Sequence, residues 1–426
     1  MSMIRLIILP LLLMLGGCAS RDTHWNPVPA TTFDKPLTLE QAVSLAAHQD
    51  LRVAEWKARY QSAQSAVQQA WLPPNPTLNL AWEDIGLKDA AGKSASTSTV
   101  GVSYPILFWI TRPWEIASAR HRKRAEELAI ESEKRDLAIE VGQRWFEIAT
   151  LSQKEELARL SMGQAEDGLR YTQAFRDSGG GSQVEVKRSE ADLLQSQSEL
   201  ADITMSKRSA QLALAFALGA DTPFYPEVEA SLDGDIIKSI SPRSIEETSA
   251  QQPDVISANE SARAIRADLS AEYARTVPLT DSQGSAGRKH ARDGNSTNYG
   301  LDIPIPIFDW NQAGISQARA AENMAQISAE RTRREATRRQ ADAWDRWEST
   351  ATKYKSISRL LRERAETVAS DGKELFEAGR ITYADYLQLR RDSIAQQMIA
   401  VDAWSDARIA EWTLLMLNAA ATGKKR

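Results

Sequence analysis

The sequence predicts a mainly α protein with a small β part, in which long antiparallel helices are joined to short strands. Two proline-free stretches, 114–177 and 313–377, are rich in alanine, glutamate, arginine and leucine, a composition typical of long helices. Short segments in which apolar and polar residues alternate precede both stretches and indicate strands. The same order of elements occurs twice. We therefore expect two similar halves, each with a strand pair and a long helical hairpin.

Landmarks that recur at a nearly constant spacing indicate an internal duplication. Tyr104-Pro105-Ile106 matches Ile305-Pro306-Ile307 at a spacing of 201, and Ala119-Arg120 matches Ala318-Arg319 at 199. Apolar residues with heptad spacing also return at 201: Val186, Leu193 and Leu200 match Leu387, Ile394 and Val401. The sequence therefore predicts a first structural repeat over 37–220, a linker over 221–243, a second repeat over 244–418 and a tail over 419–426.

Each half is expected to open with a helix and a strand pair. Thr38 and Gln41 form a capping-box pattern that predicts a helix running to about Trp71, where prolines follow. Alternating residues predict strands over 77–83 and 99–104. In the second half the segment 298–305 alternates clearly. Its expected partner, roughly 279–288, is polar and poorly patterned.

The long helices are expected to turn at glycine-containing breaks. The run 178–182, Ser-Gly-Gly-Gly-Ser, ends the first long helix, and a return helix is predicted to about Leu218. In the second half Gly379 marks the break, and the return helix is predicted from Thr382 to about Leu417. A helix of about 60 residues would be on the order of 90 Å long, which exceeds the size of a compact domain.

The first residues have the pattern of an export signal. Arg5 gives a basic start, and the apolar run 4–15 is too short to span a bilayer as a mature helix, so 1–17 is predicted to be a signal peptide. The sequence Leu-Gly-Gly-Cys at 15–18 resembles a lipobox, which predicts a covalent lipid on Cys18 and a lipidated segment over 18–36. Residues 19 and 20, Ala and Ser, lack the aspartate that retains lipoproteins in the inner membrane, so the predicted destination is the outer membrane. The alternative is an ordinary secretory signal with an incidental cysteine.

Several classes of function find no support in the composition. Cys18 is the one cysteine and the four histidines are scattered, so neither disulfides nor a metal site are predicted. The sequence contains no motif of a hydrolase, an NTPase or a metalloprotease, so we do not expect an enzyme or a cofactor apart from the lipid. The formal net charge is −5 and basic residues alternate with acidic ones, which does not indicate binding to nucleic acid.

The helices and strands place different demands on the fold. The helices carry heptad-spaced apolar residues, but the apolar stripe is thin, which favours a wall one layer deep with solvent on both sides. Four amphipathic strands leave two open edges and cannot close in lipid without other chains. The alternative is that the strands form ordinary hairpins packed on the helices.

The sequence resembles the TolC family of outer-membrane efflux proteins over essentially the whole mature chain. Three features carry the resemblance: the opening 37–42, the turn 378–387, and the order of helix, two strands and helical hairpin that occurs twice. The segment 71–78, Trp-Leu-Pro-Pro-Asn-Pro-Thr-Leu, is most similar to the branch that serves heavy-metal resistance pumps of the cobalt-zinc-cadmium and copper-silver type.

The resemblance implies a TolC-like fold and a homotrimer. Four strands per chain would contribute to a 12-stranded outer-membrane β-barrel, and the helices would form a periplasmic α-barrel. A periplasmic adaptor protein and an inner-membrane efflux pump of the resistance-nodulation-division type would be partners, besides outer-membrane lipid. The chain would conduct exported substrates passively, heavy-metal cations in the first place. The alternatives are a multidrug or small-molecule duct of the same family, or a non-channel periplasmic coiled-coil lipoprotein scaffold.

The resemblance also assigns roles to residues at the two helical turns. Asp385 falls on the aspartate that forms a ring at the channel entrance, with Glu185 near the corresponding place in the first half. This sequence departs from the family at Gln388, where a second aspartate is usual, and at Phe376, where a tyrosine helps to lock the entrance. An ordinary solvated residue near a helix N-terminus is the alternative for Asp385. The expected adaptor contacts are Gly179, Gly180, Gly181, Gly379 and Arg380.

Overall fold

The chain is described by a computed structural model. The described residues are 36–83, 86, 92, 96–220, 223–229, 244–277, 280–291 and 294–422, with the side chains of 357–360, 362, 366 and 420–422 excepted. The predicted signal peptide, Cys18, nearly all of segment 18–36 and most of the linker 221–243 lie outside this set.

The elements follow the order predicted for two similar halves. A 3₁₀ turn at Phe108–Ile110 precedes the first long helix, and a π-helical segment at Tyr354–Ser358 lies within the second. The helices are α1 Leu39–Gln49, α2 Leu51–Trp71, α3 Arg112–Asp177, α4 Gln183–Ala217, α5 Ile245–Ala250, α6 Pro253–Ala274, α7 Gln312–Lys353, α8 Arg359–Glu377 and α9 Tyr383–Thr422, and the strands are β1 Thr77–Glu83, β2 Thr97–Pro105, β3 Gln283–Ala291 and β4 Gly294–Asp302.

The first helix begins as predicted but is shorter. The Thr38 hydroxyl accepts a hydrogen bond from the Gln41 N–H at 3.3 Å, and the Gln41 side chain accepts one from the Thr38 N–H at 3.2 Å, so the capping box is confirmed. The prediction of one helix to Trp71 is wrong. Asp50 has an extended conformation (φ −60°, ψ 133°), and its carboxylate accepts from the Arg52 N–H at 2.7 Å, which ends α1 and starts α2.

The long helices are confirmed, and the second is interrupted. Helix α3 has 66 residues, which corresponds to about 100 Å at the usual rise per residue. The predicted helix 313–377 is divided by the π-helical segment into α7 and α8. The return helix α9 continues to Thr422, so the predicted tail 419–426 begins inside a helix.

The π-helical segment 354–358 accounts for a change in the spacing of the repeat. Before it, buried Val141 of α3 corresponds to buried Gln340 of α7, at a spacing of 199. After it, buried Ala165 corresponds to buried Ala365, at 200. A π-bulge accommodates one extra residue within a helix. The second half therefore contains one more residue than the first between these positions, and the bulge absorbs it.

The return helices correspond at a spacing of 200, one residue less than the heptad triplets indicated. Ser182 caps α4 as Thr382 caps α9, and fully buried Leu214 corresponds to fully buried Leu414. Equivalent caps and equivalent buried positions define this spacing better than the apolar triplets, which recur along a helix at several offsets.

The strands form one antiparallel sheet in the order β1-β2-β3-β4. Strand β3 is confirmed, a few residues later than expected, and it pairs with β2 and β4 on its two sides. Strand β4 ends at Asp302 rather than at residue 305, because β3 begins opposite it at Gln283 and no described strand lies on the other side of β4. Both edges of the sheet, β1 and β4, are therefore open within the described residues.

The two faces of the sheet differ in chemistry. Leu78 lies opposite Val102 and Leu80 lies opposite Val100, so these four side chains share one face with Trp82. All five are between 44% and 63% exposed. The other face carries small polar residues and glycines, namely Thr77, Asn79, Thr99, Gly101, Ser103, Ser285 and Gly287. On β1 and β2 the sheet thus presents an apolar face that nothing in the described chain covers, whereas β3 places Arg288 opposite Val100 on the same side.

The helical layer is held by aromatic residues at the junction of the halves and by alanine elsewhere. Phe146 of α3 contacts Trp145 and Trp404 edge to face, with ring centroids 5.2 and 6.1 Å apart. Trp412 of α9 lies against Gly142 of α3 and donates a hydrogen bond to the Ala138 carbonyl at 2.9 Å. Among the described residues, more than half of the buried apolar ones are alanines. Small side chains allow close helix approach.

We expect substitution of Gly142 by valine to loosen the junction between α3 and α9. A Cβ atom at this position would lie 2.0 Å from the Trp412 Nε1, so the ring must move and lose its hydrogen bond. Overpacking of this kind costs about 1–3 kcal/mol. The apparent melting temperature of the detergent-solubilised protein, followed by circular dichroism, should fall.

Gly163→Ala is the matched control, because a Cβ at Gly163 of the same helix would meet nothing within 4 Å. Alanine favours a helix over glycine by up to about 1 kcal/mol, so this variant should melt at or above the parent temperature. If Gly142→Val melted together with the parent protein, the close contact with Trp412 would be refuted.

Candidate functional site at the two helical turns

The first turn is built from glycines and a capping box. Gly179 has φ +84°, a left-handed conformation suited to glycine, and the Gly180 N–H donates to the Phe175 carbonyl at 3.0 Å. Ser182 and Glu185 then start α4. The Glu185 carboxylate accepts from the Ser182 N–H at 2.8 Å, and the Ser182 hydroxyl accepts from the Glu185 N–H at 3.3 Å.

The second turn repeats this arrangement. Gly379 has φ +66°, and the Arg380 N–H donates to the Leu375 carbonyl at 2.8 Å. The Thr382 hydroxyl accepts from the Asp385 N–H at 3.2 Å and donates to Asp385 Oδ2 at 2.7 Å. The Thr382 N–H also donates to Oδ2, at 3.3 Å. The predicted tip residues therefore lie where the sequence placed them, at the two turns between long helices.

Asp385 and Glu185 have the same structural role. Each is the third residue of its return helix and accepts the hydrogen bond from its own cap residue. This geometry makes Glu185 the first-half counterpart of Asp385. It is also the local role described by the alternative reading of Asp385, since an acidic residue in the first turn stabilises a helix. The side chain of Gln388 donates to Asp392 at 3.0 Å.

An aromatic cluster joins the ends of the two helical hairpins. The Tyr171 and Tyr383 ring centroids are 3.8 Å apart, across the junction between α3 and α9. Phe376 stacks on Tyr386 at 5.2 Å with an angle of 10° between the rings. Phe175 stacks on Tyr171 at 6.1 Å. Phe376 stands where the family resemblance predicts a tyrosine. It therefore contributes ring contacts to the cluster but has no hydroxyl group for a hydrogen bond.

Polar contacts surround this cluster. The Arg390 guanidinium lies 5.6 Å from the Tyr386 ring centroid and donates to its hydroxyl at 3.1 Å. With the Gln164 amide oriented so that its oxygen faces the guanidinium, Arg390 also donates to Gln164 at 2.8 Å. Arg391 pairs with Asp192 at 2.6 Å, which connects α9 to α4. These contacts join α9 to α3 and to α4 close to the turns.

Burial raises the pKa of the Tyr383 hydroxyl, and the negative charge of Asp167 raises it further. The phenol therefore stays neutral and keeps its proton over the whole physiological range. A neutral ring can remain in the aromatic cluster, whereas a tyrosinate would bring a charge into a partly buried apolar site.

The aromatic cluster and its arginine were missed by reasoning from the sequence. A signal was present, because Tyr171 and Phe175 are four residues apart and Tyr383 and Tyr386 are three apart, spacings that put each pair on one helix face. The contact between the two pairs joins residues more than 200 positions apart, and no local pattern reports it.

In the part of the chain that the structure describes, no three His, Cys, Asp or Glu side chains come together as a metal site requires. Among the same residues, no helix is long and apolar enough to cross a membrane.

We expect Tyr383 to ionise later than an ordinary tyrosine. The unfolded pKa is about 10 and the folded pKa is raised, so the contribution of the neutral phenol to stability is complete below about pH 10 and is lost as the pH rises through the folded pKa. Ultraviolet absorbance titrations of the parent protein and of Tyr383→Phe give the curve of this residue as their difference.

Asp167→Asn should lower the midpoint of that curve toward the ordinary value, because it removes the negative charge that opposes ionisation. A difference curve centred at or below pH 10 in the folded protein would contradict the burial of the hydroxyl group.

Comparison with known proteins agrees with this architecture. Residues 42–220 match the family described as outer membrane efflux protein. The chain is 26% identical to the cobalt-zinc-cadmium resistance protein CzcC of Cupriavidus metallidurans over 376 residues, 88% of each chain. It is 23% identical to the pyoverdine export outer membrane protein OpmQ of Pseudomonas aeruginosa, over 83% of this chain and 78% of OpmQ.

The fold is that of solved outer-membrane channels. A crystal structure of CusC superposes with a TM-score of 0.75 at 18% identity, over 93% of this chain and 95% of CusC. The TolC-like fold expected from the sequence is thereby confirmed. The order of elements, the turn geometry and the similarity over nearly the full length agree with the match of residues 42–220 to the outer membrane efflux protein family.

Proposed function

We propose that this chain is one subunit of an outer-membrane channel that conducts exported substrates passively from the periplasm to the exterior. The observation that carries the proposal is the sheet: four strands with two open edges and an exposed apolar face, joined to a 66-residue helix. Lipid can cover such a face, and other chains can pair with such edges. The helix, on the order of 100 Å long, would carry the conduit away from the membrane.

The number of chains follows from the width of the barrel. Each chain supplies four strands in alternating direction, so any number of copies can close an antiparallel ring. Two copies would give eight strands, and an eight-stranded barrel is filled by its own side chains. Three copies give 12 strands and leave room for a lumen. We therefore propose a homotrimer, as the family resemblance implies.

A periplasmic scaffold without a channel is the less favoured alternative. A spacer made of coiled helices has no use for an apolar sheet face with side chains around half exposed, such as Leu80 at 51% and Trp82 at 63%. In water such a face would promote aggregation, since β1 and β4 also lack strand partners.

The partners proposed for this channel follow the family. A periplasmic adaptor protein would contact the two turns, at Gly179 to Gly181 and at Gly379 and Arg380. An inner-membrane efflux pump of the resistance-nodulation-division type would supply the energy, since we propose no catalysis by this chain. All five tip residues are exposed or half-buried, as a docking surface requires.

The entrance of the channel is proposed to carry a ring of Asp385. Three copies of this carboxylate around one axis would attract divalent cations and disfavour anions. The capping contact involves Oδ2 and the side chain is exposed, so capping and a place in the ring are compatible. Gln388 and Phe376 would make this entrance less charged and its contacts more aromatic than the family pattern.

Heavy-metal cations are the proposed substrates. The similarity to a cobalt-zinc-cadmium resistance protein over most of both chains favours this choice. The similarity to a pyoverdine export protein supports the alternative of a duct for organic molecules, at lower identity. The acidic entrance suits cations and favours the metal proposal.

The proposed location is the outer membrane, with a lipid anchor on Cys18 and a helical barrel in the periplasm. The lipidation proposal rests on the lipobox-like sequence 15–18. The lipid would be a tether, while the barrel inserts through its own apolar face.

Deletion of the gene is the direct test of the substrate. We expect the deletion strain to become more sensitive to cobalt, zinc or cadmium salts, with growth inhibited at a several-fold lower concentration, and to regain tolerance when the gene is returned. Sensitivity to organic toxicants should change little. Unchanged metal tolerance under every condition that expresses the gene, with increased sensitivity to organic toxicants, would instead establish the alternative duct.

Asp385→Asn tests the entrance. The substitution removes the charge and keeps an oxygen that can accept the capping bonds. In planar bilayers the parent trimer should conduct and be blocked by divalent cations. The variant should need roughly tenfold more cation for half block, a difference of about 1.4 kcal/mol.

Glu185→Gln is the matched control, since it makes the same change in the corresponding capping box of the first half. A block that is weakened by Glu185→Gln and untouched by Asp385→Asn would transfer the entrance ring to the first turn. Absence of conductance from the parent protein would contradict the channel itself.

A further inference from the structure

The helices near the turns form a row with two free ends. Helix α3 packs against α4 on one side and against α9 on the other, and α9 packs against α8. The row is therefore α4, α3, α9, α8, and it ends at α4 and α8. Apolar side chains remain exposed on α4, with Val184 at 76%, Leu194 at 66% and Met205 at 66%. This face has no partner among the described residues of a single chain.

The duplication supplies a template for what covers it. Inside the chain, the outgoing helix of the first half, α3, meets the return helix of the second half, α9. In the next equivalent junction, the outgoing helix of the second half, α7 with α8, meets the return helix α4 of another copy. The sheet follows the same rule. Strand β2 of the first half pairs with β3 of the second half inside the chain, so β4 of one copy is left to pair with β1 of another. Repetition of such a head-to-tail contact closes a ring.

Three contacts define the junction inside the chain. Lys154 of α3 pairs with Asp402 of α9 at 2.6 Å. Gln164 of α3 accepts from Arg390 of α9 at 2.8 Å, about 15 Å nearer the turn along α3. Trp412 fills the space over Gly142 at the other end.

The spacings of the repeat transfer the ion pair to the junction between copies. A spacing of 199 applies before the π-helical segment and takes Lys154 to Lys353. A spacing of 200 applies to the return helices and takes Asp402 to Asp202. The charges are conserved in sign and in place. Among the described residues of its own chain Lys353 has one long ion pair, 3.8 Å to Asp406, and its side chain is 50% exposed.

The second contact becomes a new ion pair. Beyond the π-helical segment the spacing is 200, which takes Gln164 to Arg364 and Arg390 to Glu190. The cation has moved from the return helix to the outgoing helix, and a carboxylate faces it. Arg364 and Glu190 are both exposed in a single chain. Arg364 and Glu190 therefore carry opposite charges that are complementary at the junction between copies.

The third contact is packed by different residues at the new junction. Gly142 corresponds to Ala341, and Trp412 corresponds to Leu212. A larger residue on the outgoing helix thus meets a smaller one on the return helix. Both are half-buried in the single chain.

We propose that the face of α4 with Glu190, Asp202 and Leu212 docks on the face of α7 and α8 with Arg364, Lys353 and Ala341 of a second copy of this chain, with ion pairs between Asp202 and Lys353 and between Glu190 and Arg364. This interface rests on the proposed homotrimer and assigns its residues. Its contacts lie at the same distances from the helical turns as those of the junction inside the chain. The six helical hairpins of three copies are therefore nearly equivalent.

Cysteine crosslinking tests the residue assignment, because Cys18 is the one cysteine in the chain. Full-length double variants Asp202→Cys with Lys353→Cys, and Glu190→Cys with Arg364→Cys, are treated in outer-membrane fractions with a short bis-maleimide reagent. We expect covalent dimers and trimers on denaturing gels. The parent chain, with Cys18 alone, should give none.

The control combines one residue from each pair, Glu190→Cys with Lys353→Cys. Glu190 and Asp202 are 12 positions apart on one helix, about 18 Å, so this mismatched pair is beyond the reach of the reagent. Lys154→Cys with Asp402→Cys should crosslink within a chain, without covalent dimers.

The outcomes separate this interface from the channel proposal. The interface would be overturned if neither matched pair crosslinked, or if the mismatched pair crosslinked equally well. Heat-modifiable trimers in every variant would then leave the channel proposal in place. Absence of trimers from the parent chain as well would overturn both. A charge exchange, Asp202→Lys with Lys353→Asp, should restore the heat resistance of the trimer that each single substitution lowers.

Discussion

The architecture depends on a sheet that a single chain leaves unfinished. Backbone N–H and C=O groups at the outer sides of β1 and β4 need partners, and the apolar face that contains Leu80 and Val100 needs an apolar surrounding. In the proposed channel, copies of the same chain and lipid would satisfy both needs together. The long helices also need partners, because their row ends in two free faces, one on α4 and one on α8. In the proposed trimer each chain would be a segment of a ring that these free edges and faces close.

The parts of the fold that local signals encode could be predicted from the sequence. Glycines and capping residues fixed the turns, and composition fixed the long helices. Strand β3 could not be located well, because its residues, such as Gly287 and Lys289, carry little strand preference. Hydrogen bonds from β2 and β4 on both sides define it instead. The break at Asp50 was missed since neither proline nor glycine marks it.

The same distinction applies to the candidate site. The positions of Asp385 and the tip glycines were predictable, since each depends on neighbours within a few residues. The aromatic cluster depends on Tyr171 meeting Tyr383 across the junction between the halves, and only the packing of α3 against α9 brings them together. The charged joints also escaped prediction. In the first half Arg52 of α2 binds Glu140 of α3, whereas in the second half Asp254 of α6 binds Arg339 of α7, so the two halves exchange the positions of cation and anion.

The π-helical segment at 354–358 preserves the angular phase of everything that follows it. One additional residue in a regular helix would rotate the remainder by about 100° around its axis. Phe376 would then point away from Tyr386, and Arg364 would leave the side of the helix that the repeat assigns to it. Because the π-helical segment widens a single turn, the second half accommodates one more residue without rotating α8 relative to α7. The spacing of the two halves can therefore change by one residue while the side chains beyond the bulge keep the helix faces that they occupy.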